Sequence, residues 1–72
     1  MKYYFSINMT QEEFLPYYQG RGLAIVVRSE AGLKIQFPAM HLRKFVTSGG
    51  VKGRFCLETV NNKFISLTKL SH

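Results

Sequence analysis

The chain has few of the residues on which disulfide-stabilised and membrane-spanning proteins depend. Cys56 is the only cysteine among 72 residues and there is no tryptophan, so an intramolecular disulfide is excluded. No apolar run approaches the roughly 20 residues that a membrane-spanning helix requires. The residues after Lys2 alternate between aromatic and polar and do not form the apolar segment of a secretory signal. These absences predict a cytoplasmic protein without a membrane partner.

Acidic residues are scarce as well. Four Asp and Glu face ten Lys and Arg, which gives a formal net charge of +6. Such a surplus on a small domain creates a positive potential that favours nucleic acid, an acidic protein or anionic lipid as a partner. A net charge can also serve solubility alone, so the charge narrows the partner class without identifying the partner.

What the chain does have is enough apolar residues for one folded domain, residues 1–72. Hydrophobic residues make up 46% of the sequence and aromatic residues 14%, spread along its whole length. This composition is that of a globular protein. A chain of this size buries only about 60% of the surface that its unfolded form exposes, so we expect modest stability.

The first elements are a strand and a short helix. Residues 3–9 alternate between apolar and polar side chains, which predicts a half-buried strand. Thr10 and Glu13 have the spacing of a capping box at the start of a helix. Phe14, Leu15 and Tyr18 lie at helical spacing, so we expect them to dock this helix on the sheet. Pro16 predicts a kink or a 3₁₀ turn within it.

The first β-hairpin spans residues 23–37. If Ser29 pairs with Leu33 across a three-residue loop, with Gly32 in the left-handed conformation, the apolar residues of both strands share one face. The same register places Arg28 opposite Lys34 on the other face. Like charges that lie directly opposite each other are destabilising, and an anionic partner or solvent screening would relieve them.

A second short helix and a second hairpin follow. Residues 38–46 begin with proline and place apolar residues on one side, which predicts a short helix, and the glycine-containing residues 47–50 predict a flexible joint. The second hairpin, 51–60 with 63–70, turns at the two asparagines between them. Regular pairing from this turn places Arg54 opposite Lys69 and Cys56 opposite Leu67, which makes a second like-charge pair.

The fold class that follows is α+β, mainly β, in the order β-α-β-β-α-β-β. We expect a small bent antiparallel sheet or partly open barrel of about five strands with two short helices. The alternative is a split β-α-β arrangement, because the first six elements also have that order.

Three segments, 12–20, 35–39 and 53–57, carry a resemblance that covers nearly the whole chain. They are similar to those of an uncharacterised family of small bacterial proteins, domains of unknown function of about 70 residues. The resemblance implies a bacterial, cytosolic, stand-alone domain, and it implies no activity, substrate, cofactor or site residue.

No residue pattern predicts catalysis or a cofactor. Cys56 lies between apolar residues in a predicted strand and is best explained as a small hydrophobe. His41 and His72 are too far from Cys56 in the sequence to predict a metal site. The glycines of 49–53 lack the pattern of a phosphate-binding loop. We therefore expect a protein that is not an enzyme and that holds no metal and no small-molecule cofactor.

Binding to an anionic partner is the leading functional hypothesis, with nucleic acid recognised without strong sequence specificity as the first choice. The candidate residues are cations, with two tyrosines that can add stacking surfaces: Arg21, Arg28, Lys34, Arg43, Lys44, Lys52, Arg54, Tyr17 and Tyr18. The alternative is a protein–protein interaction module or homodimer that uses the outer face or edge of the 23–37 hairpin.

Overall fold

The structure is a computed structural model that describes residues 1–20 and 24–71. Its elements follow the predicted order: β1 (Lys2–Met9), α1 (Gln11–Tyr18), β2 (Ala24–Arg28), β3 (Lys34–Pro38), a 3₁₀ helix (Ala39–Phe45), β4 (Val51–Val60) and β5 (Lys63–Ser71). The prediction of a mainly β fold with five strands and two short helices is confirmed.

In residues 1–20 and 24–71 the strands form two antiparallel sheets, which do not close into a barrel. One sheet has the order β1-β4-β5 and the other is the β2-β3 hairpin. Every strand pair in the described ranges is antiparallel. The split β-α-β alternative places its crossover-connected strands in parallel, so it is not the arrangement formed.

The core lies between the two sheets and is closed by the two helices. β1 alternates as predicted: Phe5 and Ile7 are buried, and the intervening side chains are exposed. The ring of Phe5 contacts Phe37 of the hairpin and Phe55 of β4, at centroid distances of 5.7 and 5.9 Å. Aromatic packing therefore joins the two sheets at their centre.

Helix α1 begins at the predicted capping box. The Thr10 hydroxyl accepts from the backbone N–H of Glu13, and the Glu13 carboxylate accepts from the Thr10 N–H. The expected 3₁₀ turn is not found in this segment, since Gln11–Tyr18 is α-helical with Pro16 inside. Pro16 has no N–H to donate to the Glu12 carbonyl, so the helix lacks that one hydrogen bond.

The docking face of α1 differs from the one predicted. Phe14 is buried, but Leu15 and Tyr18 are 46% and 54% exposed. Tyr17 packs against the core instead, with its ring 5.7 Å from that of Phe14. A two-turn helix can turn only a narrow strip toward the sheets, and the strip that contains Phe14 and Tyr17 is the one buried.

The first hairpin has the predicted register. Ile25 pairs with Phe37, Val27 with Ile35, and Arg28 with Lys34. The Ser29 N–H donates to the Leu33 carbonyl at 2.7 Å, and Gly32 has φ +86°. The predicted first residue of this hairpin, Leu23, lies outside the described residues.

The second helix is a 3₁₀ helix that ends in a tight turn. Ala39 and Leu42 are buried on its inner side. The segment after it, predicted to be a flexible joint, is a turn in which Thr47 and Gly50 exchange two backbone hydrogen bonds of 2.9 Å. Gly50 has φ +97° and lies against the backbone where β1 meets α1.

The predicted register of the second hairpin is wrong beyond its turn. Asn61 and Asn62 have positive φ, as a two-residue turn requires. A register shift between Glu58 and Thr59 then moves β5 by one residue, so that Lys69 lies opposite Phe55 and Thr68 opposite Cys56. The shift places Leu67 opposite Leu57, and both are buried. Burial of Leu67 decides the register, because a one-residue slip would turn it to the exposed face.

Candidate functional site

The Arg28–Lys34 pair is present on the exposed face of the first hairpin. In this register Arg28 and Lys34 form a non-hydrogen-bonded pair, because the Ser29–Leu33 pair next to it is hydrogen-bonded. Residues in such pairs have Cα atoms only about 4.5 Å apart. Both residues are exposed, and the Arg28 guanidinium donates to the Gly32 carbonyl at 3.0 Å. Within residues 1–20 and 24–71, neither side chain forms an ion pair with a carboxylate.

Arg54 does not form the second like-charge pair that its sequence position predicts. It lies opposite Ser71 on one side and Ser6 on the other. Its guanidinium donates two hydrogen bonds to the Glu30 carboxylate, at 2.6 and 2.9 Å. These bonds lower the pKa of Glu30 below its ordinary value and raise that of Arg54. Arg54 is therefore neutralised by a residue of the hairpin loop.

Lys52 extends the positive face along β4. It is exposed and lies opposite Asn8 of β1, two residues before Arg54 on the same side of the strand. Ser6 and Asn8 project from β1 on that side and are also exposed. The outward face of β1 and β4 thus combines two cations with small polar side chains.

A cleft separates β1 from β2, and we call it the β1–β2 cleft. The two strands are joined at one end, where the Glu30 N–H donates to the Tyr4 carbonyl at 2.7 Å. Along the rest of their length the two strands diverge, since β1 and β2 belong to different sheets. The cleft has a volume of about 600 Å³ and is lined by residues 6–9 and 24–28, with Tyr17.

The backbone edges of both strands face this cleft. Since hydrogen-bonding direction alternates along an antiparallel pair, Ser6 and Asn8 direct their N–H and C=O groups to the same side as Tyr4. By the same alternation, Val26 and Arg28 direct theirs away from β3. Among the described residues, no backbone hydrogen bond links these two edges.

Four of the predicted binding residues therefore surround one feature. Arg28 lines the β1–β2 cleft on the hairpin side, with Lys34 opposite it on β3. On the other side of the cleft, Ser6 and Asn8 of β1 line it. Lys52 and Arg54 lie on the neighbouring strand β4, opposite Asn8 and Ser6.

Arg43 and Lys44 lie elsewhere, on the 3₁₀ helix. The Arg43 guanidinium donates to the Tyr18 carbonyl at 2.6 Å and lies 4.9 Å from the centroid of the Tyr18 ring. It thereby satisfies a carbonyl at the end of α1, whose last turn has no basic residue of its own. Lys44 lies over the Phe45 ring at 5.2 Å. Arg43 lines two grooves of about 400 Å³, one with α1 and one with β5, and these share no lining residue with the β1–β2 cleft.

Tyr17 and Tyr18 do not form a stacking surface beside the cations of the β1–β2 cleft. Tyr17 is partly buried at the β1–β2 cleft, and Tyr18 is occupied by Arg43. Arg21 lies outside the residues that the structure describes. A tyrosine that was not predicted, Tyr4, lies beside the cations of the outer face of β1 and β4, with its ring centroid 5.1 Å from the Arg54 guanidinium carbon.

Sequence reasoning missed Tyr4 and Glu30 as members of this surface. The alternation of β1 already places Tyr4 on the outer face with Ser6 and Asn8. Its proximity to Arg54 depends on the β1–β4 register. Glu30 and Arg54 are 24 residues apart in the sequence, and no local sequence pattern predicts a contact between them.

His41 and Cys56 have packing environments of their own. The His41 ring stacks on Phe64 at a centroid distance of 3.7 Å, and partial burial followed by the charge of Lys44 lowers its pKa. Cys56 is a half-buried free thiol on the outer face of β4. In the described part of the chain, no three side chains of the His, Cys, Asp and Glu types are grouped to hold a metal ion. None of the helices found there has the length and apolarity to cross a membrane.

Comparison with known proteins leaves the biochemical role open and identifies the family. No curated protein and no solved structure matches the chain significantly. The model of a family described as "Protein of unknown function (DUF2835)" matches residues 1–70, which agrees with the resemblance drawn from the three sequence segments. Because the match covers nearly the whole chain, the protein belongs to the DUF2835 family.

Proposed function

We propose that this protein is a non-catalytic binding module whose basic face contacts an anionic partner, nucleic acid without strong sequence specificity. The observation that carries the proposal is the Arg28–Lys34 pair. Two exposed cations lie directly opposite each other, and neither forms an ion pair with a carboxylate in the described ranges. A phosphate placed between them relieves their repulsion and adds an attraction to each.

The surrounding residues support a polyanion over a single small anion. Lys52 continues the positive face, and Arg54 can exchange Glu30 for a phosphate, because that ion pair is exposed to solvent. Ser6 and Asn8, which lie on β1 beside these two cations, have polar side chains that suit contacts to phosphate and sugar. Such contacts carry no base specificity.

A cytoplasmic location is part of this proposal. A single half-buried thiol suits a reducing compartment, in which stable disulfides are rare. The bacterial origin that the resemblance implies stays a prediction.

The test is a titration of labelled DNA and RNA oligonucleotides, followed by fluorescence anisotropy at several salt concentrations. We expect affinity to fall steeply between about 50 and 200 mM salt, because bound cations release counterions. The double variant Arg28→Ala, Lys34→Ala should flatten the log–log salt slope by about 0.7 to 0.9, which is the contribution of the one phosphate that the pair contacts.

The matched control is the double variant Lys44→Ala, Lys63→Ala, which removes the same charge away from the β1–β2 cleft. It should leave the slope nearly unchanged. Undetectable binding at low salt, or affinity that does not respond to salt, would end the proposal.

A protein-interaction module, in its simplest form a homodimer, is the second candidate. Val26 is 49% exposed on the outer face of β2, beside an edge without a strand partner in the described ranges. Edges of this kind pair readily with a second chain. Sedimentation at high protein concentration should then show a dimer that Val26→Lys dissociates, and a monomer of the unmodified protein would exclude the homodimer.

A further inference from the structure

The β1–β2 cleft has cations on both of its sides, which is the arrangement that a linear polyanion requires. Arg28 and Lys34 lie on the hairpin side, and Lys52 lies behind β1 on the other. A chain of phosphates that follows the cleft passes cations of both sheets. Single-strand binding proteins use a positively charged groove in this way.

The strand edges add hydrogen-bond donors inside the cleft. The backbone N–H groups of Ser6, Asn8, Val26 and Arg28 face it, and no hydrogen bond joins the two edges in the described ranges. Backbone N–H groups are common donors to phosphate oxygens. The Ser6 hydroxyl and the Asn8 amide can donate from the same side.

A stacking platform lies at the closed end of the cleft. Tyr4 is 37% exposed, and the guanidinium of Arg54 lies over its ring at 5.1 Å. Unpaired bases stack on aromatic rings and on arginine guanidinium planes. A base at this end can therefore continue the stack of Tyr4 and Arg54.

These features favour a single strand over a duplex. In a duplex the base faces are stacked inside the helix and cannot reach Tyr4. Reading a duplex from its major groove requires a projecting helix or β-ribbon, whereas the β2-β3 ribbon is packed on the core through Ile25, Ile35 and Phe37.

We propose that the β1–β2 cleft binds single-stranded nucleic acid, with its phosphates along the strand edges and one base stacked on the Arg54–Tyr4 pair. This inference rests on the proposed function and names the form of nucleic acid.

The experiment compares a short labelled single strand with the duplex of the same sequence, for the unmodified protein and for two matched pairs of variants. Val26→Glu places a carboxylate in the cleft, and Ile65→Glu makes the same charge change at an equally exposed site on β5. Tyr4→Leu removes the aromatic ring, and Tyr4→Phe keeps it. Circular dichroism checks that each variant is folded.

We expect the single strand to bind at least about tenfold more tightly than the duplex. Tyr4→Leu should weaken single-strand binding at least about fivefold and leave duplex binding unchanged, because stacking on an aromatic ring favours an unpaired base. Tyr4→Phe should bind as the unmodified protein does. Val26→Glu should weaken binding more than Ile65→Glu.

Four outcomes would overturn the inference, and they differ in what they leave of the proposed function. Equal affinity for the duplex, or equal effects of Val26→Glu and Ile65→Glu, rejects the single-strand cleft and leaves general nucleic-acid binding intact. Absence of binding to any nucleic acid rejects both. Equal competition by polyglutamate at matched charge shows that negative charge alone is enough for binding, and it rejects both as well.

Discussion

Gly50 shows how a single residue determines the path of the chain. A Cβ atom at this position would lie 2.1 Å from the Met9 carbonyl oxygen and within 3 Å of two further backbone atoms of residues 10 and 11. Backbone atoms cannot move aside as a flexible side chain can. The turn before β4 therefore packs on the start of α1 only with glycine here, although the sequence suggested a glycine chosen for flexibility.

Gly50→Ala should destabilise the domain by more than about 3 kcal/mol, since backbone strain of 1 to 3 kcal/mol adds to the clash. Gly32→Ala is the control: φ is also positive, at +86°, but nothing lies within 4 Å of the added Cβ. Its cost should stay near about 1 kcal/mol. Urea unfolding followed by circular dichroism measures both, and equal costs would contradict the close approach at Gly50.

His41 should make stability depend on pH. Its pKa is lowered by partial burial and by Lys44, so the unfolded chain takes up the proton first as the pH falls. The contribution of His41 to the free energy of unfolding is thus fully present above the unfolded pKa of about 6.5. It is lost as the pH falls from that value to the lowered native pKa. The urea concentration at the midpoint of unfolding should decrease as the pH is lowered from about 7.5 to about 5.5. The variant His41→Gln should make this decrease smaller. A midpoint that rises on acidification would show instead that the charged ring gains from its stack on Phe64.

At the scale of the elements, the register of the first hairpin buries apolar residues on one face but brings two like charges together on the other. Its register is determined by the burial of Ile25, Ile35 and Phe37 on the inner face. The Arg28–Lys34 pair on the outer face follows from that register and is unfavourable in itself. A conflict of this kind is expected where a surface serves binding.

Lys34→Glu separates the two roles of this pair. It turns a like-charge pair into an opposite-charge pair, so it should stabilise the domain by about 0.5 kcal/mol. The same change should weaken nucleic-acid binding by more than Lys34→Gln does, because it both removes a cation and adds an anion to the face. A destabilised Lys34→Glu variant, or one that binds nucleic acid more tightly, would contradict this account of the hairpin.

At the scale of the whole molecule, the two sheets are held together by the core and by a polar junction. The junction consists of the Glu30 backbone bond to Tyr4 and the Glu30–Arg54 ion pair. The ion pair is exposed, since its side chains retain 48% and 44% of their accessibility. Water and salt therefore screen it, and the core supplies most of the connection between the sheets.

The variant Glu30→Gln should unfold at a slightly lower urea concentration than the unmodified protein at low salt. Near 1 M salt the two midpoints should be equal, because charges are screened over about 3 Å there. The sign of its pH dependence follows from the lowered pKa of Glu30. The contribution is present above the ordinary pKa of a glutamate and is lost as the pH falls through the lowered native value. An effect of Glu30→Gln that persists at high salt would show that the junction acts through packing and not through charge.

The sequence by itself determined the elements and the register of the first hairpin. Alternation, the Thr10 capping box and the three-residue loop at Gly32 are local patterns, and local physical chemistry is enough to interpret them. The surplus of cations was also evident, and so was the opposition of Arg28 and Lys34.

Only the tertiary structure decided which cations share a surface. The bulges of β5 depend on the burial of Leu67 against Leu57, and the partner of Arg54 lies in a loop 24 residues away. The β1–β2 cleft exists because two strands that are adjacent in space belong to different sheets. Contacts between distant segments depend on how the whole core packs, and a one-dimensional pattern does not carry that information.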